Sequence, residues 1–250
     1  MLGRPLHSRG LALFGFWLLF LFGGWGGLHP GDPVPNWLST VSVVALVFVL
    51  LPALAFGLSW FQTMAGSPKP IRSDWILRFI WVGMVSYALA AVLAAVGNLP
   101  EISRLTGFTL YAQGLTQLRI HGFLGMALAG AMYYVMPRLA GSTWPSPGLI
   151  KVHFWSAAVG LVLSVTALLA GGLVQGIGIE QPQTEFINVV RRIVPFLGTS
   201  TLGMTLLLIG YGAFIINLGR LLSVLCPCGI LWARFKPAQG GTGAVRRANQ

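Results

Sequence analysis

A chain of 250 residues in which 55% are hydrophobic and only 8% are charged carries too much apolar surface for a soluble domain to hide. Charge-free runs cover 10–31, 39–68, 79–100, 120–137, 152–179 and 193–219, and all but one exceed the roughly 20 residues that cross a bilayer as a helix. The formal net charge of +11 would suggest nucleic acid in a soluble protein, but here the basic residues gather on alternate connections between apolar runs.

The predicted elements are helices, because lipid offers no partner to an unpaired backbone group and an open sheet would leave many. In chain order the spans fall at about 10–28, 39–62, 76–97, 107–137, 151–176 and 193–219, giving an all-α, polytopic bundle of six transmembrane helices. Arg4 and Arg9 precede the first run, but Gly23–Gly27 with Trp25 makes a poor small-residue cleavage site. The first run therefore reads as an uncleaved helix. The short fourth run extends backwards through the charge-free stretch Gly107–Leu118. Pro30–Asn36, Gly66–Pro70 and Gly141–Gly148 have turn compositions, and the polar connection Gly176–Val190 is long enough to form a small cap. Nothing repeats at a fixed period, so one bundle over 10–220 is expected. Residues 1–9 form a cytoplasmic N-terminus, and 221–250 a basic, Gly-rich, disordered tail that meets anionic headgroups.

Arg4, Arg9, Lys69, Arg72, Arg78, Arg138, Lys151, Arg220, Arg234, Lys236, Arg246 and Arg247 fall on one side of this arrangement. Only Arg104, Arg119, Arg191 and Arg192 belong to the other, which also carries Asp32, Glu101, Glu180 and Glu185. The positive-inside rule places both termini in the cytoplasm, as in a multi-pass protein of a bacterial inner membrane. The basic character is topology, and no nucleic-acid partner is expected. Cys226 and Cys228, past the sixth span, are too few to close a zinc site.

The fourth span holds the polar residues that need a reason: Gln113, Gln117, Arg119 and His121. An Arg at a helix centre costs about 2.5–3.5 kcal/mol on insertion scales. At 100° per residue, Gln113, Gln117 and His121 share a slowly drifting face while Arg119 lies opposite His121. His121 falls near the bilayer midplane, where a neutral imidazole serves either as a hydrogen-bond partner of a neighbouring helix or as a metal or haem ligand.

Leu118-Arg-Ile-His-Gly-Phe-Leu-Gly125, Tyr133-Tyr-Val-Met-Pro-Arg-Leu139, Val152-His-Phe-Trp155 and Gly171-Gly-Leu-Val-Gln-Gly176, in this order, resemble helices ten and eleven of the haem-copper oxidase catalytic subunit. The likeness is to the cytochrome cbb type, with nitric oxide reductases next. Pro35-Asn-Trp37 and Ser73-Asp-Trp-Ile-Leu-Arg-Phe79 are similar to the segments after helix seven and before helix nine. The resemblance thus implies a C-terminal half, covering about 25–220. In that family helix ten carries His-x-His, the first ligating the oxygen-reducing haem and the second the low-spin haem. Here the triplet is Arg119-Ile-His121. The resemblance implies that His121 is the low-spin axial ligand and that Arg119 replaces the other. Where the family has paired copper-ligating histidines, this chain has Gly26, Gly27 and Leu28, with His29 alone nearby.

The resemblance further implies a degenerate subunit of a respiratory electron-transfer complex, with at most one low-spin haem b and no copper. Its other axial ligand is expected from another membrane subunit, since His7, His29 and His153 all lie at span ends. Arg119, Arg191 and Arg192 are candidates for haem propionates, and a c-type cytochrome is a candidate partner. Two other readings stay open: a haem-free scaffold or assembly subunit, and one half of a split oxidase-like protein. A quinone near Gln113 and Gln117, the electron donor and the acceptor are not legible.

Overall fold

The computed structural model describes residues 8–25, 28, 33–64 and 74–225. His7, His29, Asp32, Cys226, Cys228 and the tail from 226 onward lie outside them. The described residues form helices joined by turns: α1 Arg9–Phe22, α2 Asn36–Met64, α3 Trp75–Gly97, the short α4 Pro100–Thr106, α5 Leu110–Ala140, α6 Pro147–Glu180 and α7 Phe186–Leu225.

Five of the seven starts have a local cause. Ser8 Oγ accepts from Leu11 N at 3.1 Å and Asp74 Oδ1 from Ile76 N at 2.9 Å, side-chain caps that satisfy first-turn amides of α1 and α3. Proline opens α4 and α6, where its missing N–H costs nothing. The α5 start is capped twice, by the Thr109 hydroxyl on Tyr111 N and by Gln175 Oε1, which accepts from Leu110 N at 2.9 Å. That helix ends at Gly141, whose φ of 60° suits a residue without Cβ.

Five of the expected spans are helices long and apolar enough to cross a bilayer. Among the described residues the first is shorter: α1 has 14 residues, a rise of about 21 Å against a hydrocarbon core of about 30 Å. Helix 76–97 agrees with the sequence reading to within a residue at its start. The expected cap over 176–190 is absent, because α6 continues to Glu180 and α7 begins at Phe186. The reason is packing. A Cβ at Gly176 would collide with the Leu105 carbonyl, and one at Gly178 would stand 3.1 Å from Val189, so this end of α6 is pressed between α4 and α7. At the other end α7 runs to Leu225, into the stretch expected to be tail.

The helices pack as a row, α1 on α2, α2 on α3, α3 on α5, α5 on α6 and α6 on α7. The core lies where α3, α5, α6 and α7 meet, around Phe79, Met126, Tyr133, Phe154, Leu161 and Leu207. Small residues set the spacing: Gly122 and Gly130 of α5 leave no room for a Cβ beside Ser86 and Ile80 of α3, and Gly160 of α6 meets the Gly203 carbonyl of α7. Trp75 stacks under Arg78, whose Cζ lies 4.0 Å from the ring centroid. Trp144 donates its Nε1–H to the Tyr133 carbonyl at 2.9 Å and closes the turn after α5.

Candidate functional site

Within α5 the eight residues Leu118–Gly125 are wound as π-helix. The segment coincides with the polar motif that stands out in the sequence. A π turn is poorly packed and uncommon, and it persists mostly where a side chain must be aimed away from the α-helical path. Here it meets α3 closely: Gly83 of that helix faces Phe123 O and Ala127 N, which a Cβ would approach to 3.3 and 3.2 Å. The winding leaves Arg119 exposed and His121 half-buried.

Nδ1 of His121 lies 2.9 Å from the hydroxyl of Tyr211 on α7, with ring centroids 6.0 Å apart. Gly125 makes the approach possible, since a Cβ there would stand 3.0 Å from that hydroxyl. One ring nitrogen is therefore held, and Nε2 remains as the nitrogen that can bind a metal. This is the arrangement in which a ligating imidazole is oriented through its other nitrogen. His121 lies about 16 Å along the axis from the start of α5, at roughly 1.5 Å per residue.

His153 lies six residues inside α6 and is 1% exposed. Its Nδ1 lies 2.9 Å from the hydroxyl of Tyr133. Phe79, Tyr133, Tyr211 and Phe214 surround its ring, with centroids 5.0, 5.7, 5.9 and 5.6 Å away. So enclosed a ring has no open side for a porphyrin. Tyr211 thus touches both histidines. Sequence reasoning singles out neither it nor Tyr133 as a site residue; the available signal is a hydroxyl in an otherwise apolar stretch of α7.

The remaining candidates scatter. Gln113 is exposed, while Gln117 is half-buried with its Oε1 out of water and without a hydrogen-bond partner. Arg191 and Arg192 are exposed near the start of α7, and Arg192 precedes Tyr211 by nineteen residues, a rise of about 28 Å. The structure therefore does not bring them together with His121. The described acids sit at or beyond helix ends, Asp74 before α3, Glu101 in α4, Glu180 closing α6 and Glu185 before α7, whereas Arg119 lies well inside α5. Among the described residues no three of His, Cys, Asp and Glu come together as a metal site.

The model of the family described as cytochrome c and quinol oxidase polypeptide I matches residues 1–206. Similar proteins include the cbb3-type cytochrome c oxidase subunit CcoN1 of Stutzerimonas stutzeri, 28% identical over 177 residues, or 70% of this chain and 37% of that protein. The cytochrome c oxidase subunit 1 of Rhodobacter capsulatus is also 28% identical, over 70% of this chain and 33% of its own length. A bacteroid homologue of that subunit from Bradyrhizobium diazoefficiens is 25% identical over 83% of this chain and 39% of its own. A haem-copper terminal oxidase dimer solved by cryo-electron microscopy shares the fold at a TM-score of 0.63 and 17% identity, over 86% of this chain and 42% of that one. The chain belongs to the cytochrome c and quinol oxidase polypeptide I family. It is a helical, membrane-type protein like subunit I of the haem-copper oxidases, and it spans between a third and two fifths of the length of the relatives it matches.

Proposed function

We propose that this chain is a degenerate subunit-I homologue that works inside a respiratory complex of a bacterial inner membrane and holds at most one low-spin haem b, without copper. The observation that carries the reading is His121, with Nδ1 fixed by Tyr211 at 2.9 Å and Nε2 free, inside a π-helical turn. Such a haem would supply one-electron transfer. His121 would hold the iron from one side, and the half-buried setting of its ring supports a second axial ligand from another membrane subunit. Arg119, two residues from His121 in the sequence and exposed, is the proposed propionate partner. Arg191 and Arg192, about 28 Å along α7, are better suited to lipid phosphate or a partner at the outer surface. Six spans, with α1 as the first and both termini cytoplasmic, agree with the distribution of basic residues. A c-type cytochrome is the proposed electron-exchange partner. The loss of the oxygen-reducing ligands is read from Arg119 in place of a histidine and from Gly26, Gly27 and Leu28.

One observation favours a second reading. The His121–Tyr211 contact joins α5 to α7 directly, which is what a haem-free scaffold subunit would use it for. A reduced-minus-oxidised spectrum with a pyridine haemochrome assay on the native complex separates the two. Under the haem reading, a low-spin b-type signal present in wild type disappears in His121→Ala. Wild-type complex without haem leaves the scaffold.

A further inference from the structure

Beyond the assignment of His121, we infer that Tyr211 is a positioning residue that selects the metal-binding tautomer of His121 and sets the potential of whatever iron it holds. The inference rests on the reading of His121 as an axial ligand.

The contact is interhelical and made from ninety residues away, with Nδ1 and the hydroxyl at 2.9 Å. A tyrosine hydroxyl can either donate or accept. If it donates to Nδ1, the proton of a neutral imidazole sits on Nε2 and no metal can bind there. If it accepts the Nδ1–H, the lone pair is on Nε2. Loading of iron therefore requires the accepting role, and Tyr211 is the group that stabilises it.

Two glycines hold the hydroxyl at this height. A Cβ at Gly125 would stand 3.0 Å from it. Gly210, the residue before Tyr211, lets α7 lie against α6, since a Cβ there would meet Ser156 Oγ at 2.7 Å and His153 Cδ2 at 3.2 Å. On its other side the Tyr211 ring meets the His153 ring edge-on at 5.9 Å. The side chain is thus built in from α5, α6 and its own helix.

Donation from Nδ1–H to an acceptor raises the basicity of a ligating imidazole, and a more basic axial ligand favours ferric over ferrous iron. Losing the acceptor should shift the midpoint potential to more positive values. The test is a potentiometric titration, with electron paramagnetic resonance of the oxidised low-spin signal, on native complex from wild type, Tyr211→Phe, Gly125→Ala and His121→Ala. Tyr211→Phe is expected to retain haem, with a positive midpoint shift and changed g-values. Gly125→Ala keeps the tyrosine but crowds its hydroxyl, and is expected to shift the midpoint in the same direction. If His121→Ala loses the haem while the Tyr211 and Gly125 variants titrate like wild type, the role given to Tyr211 is overturned and His121 stands as ligand. If wild type has no haem, or His121→Ala keeps it, the reading of His121 fails and this inference goes with it.

Discussion

The hydroxyl of Tyr133 and Nδ1 of His153 lie 2.9 Å apart in a setting closed to solvent, one on α5 and one on α6. The residues are 0% and 1% exposed. Interhelical hydrogen bonds in bilayers average only about 0.6 kcal/mol, but a polar atom left buried without a partner costs about 1–3 kcal/mol. Tyr133→Phe should destabilise the purified protein by an amount in the upper range. Replacing both residues by Phe should cost less than the sum of the two single changes, as a double-mutant cycle of unfolding in bicelles would read. Additive losses would mean the pair does not interact.

The α6–α7 seam predicts a contrast between glycines. A Cβ at Gly160 would come 2.5 Å from the Gly203 carbonyl, and one at Gly203 would come 2.6 Å from the Gly160 carbonyl, whereas Gly212 has nothing within 4 Å. Gly160→Ala or Gly203→Ala should destabilise by about 1–3 kcal/mol through overpacking. Gly212→Ala should be neutral or stabilising by up to about 1 kcal/mol, since alanine is the better helix former. Thermal unfolding in detergent would rank the three.

Asn217, fully buried on α7, holds both backbone groups of Ser146. Its Oδ1 accepts from Ser146 N at 3.2 Å and its Nδ2 donates to Ser146 O at 3.1 Å. Asn217→Leu keeps the branched shape and the number of side-chain heavy atoms and removes both bonds. The turn between α5 and α6 should loosen, with faster hydrogen exchange at Ser146 and the first turn of α6 and little change near Tyr211. Uniform change throughout the bundle would point to global unfolding instead.

Arg119 predicts an insertion effect. Translocon-mediated insertion of the segment Leu110–Ala140 should become more favourable by about 3 kcal/mol on Arg119→Leu. A glycosylation-mapping assay would show it. An unchanged insertion free energy would mean that this arginine already reaches the headgroups.

Much of this architecture is legible in the sequence, because membrane helices announce themselves by the length of an apolar run. Helix 76–97 is the clearest case. The motif around His121 is legible too, as a local sequence likeness. The features that escape a sequence reading depend on distant partners. Tyr211 is ninety residues from His121, and a lone hydroxyl in an apolar stretch does not say which distant residue it meets. The π winding of Leu118–Gly125 answers to the close contact with α3 through Gly83 and Gly122, which no single-helix period contains. The burial of His153 among rings of α3, α5 and α7 likewise depends on partners far away in the chain. The cap expected over 176–190 fails for a related reason, since Gly176 and Gly178 read as turn residues and are close-packing positions.

The row-like order of the helices has a consequence for biogenesis. Among the described residues each long helix finds its main neighbour in a helix adjacent to it in the row, α1 included. Contacts of short sequence separation form early and at small loop-closure cost. Each span leaving the translocon can therefore dock at once on the span synthesised before it. The Tyr211–His121 contact, the longest-range polar link at the site, can then form only when α7 arrives and packs over α5.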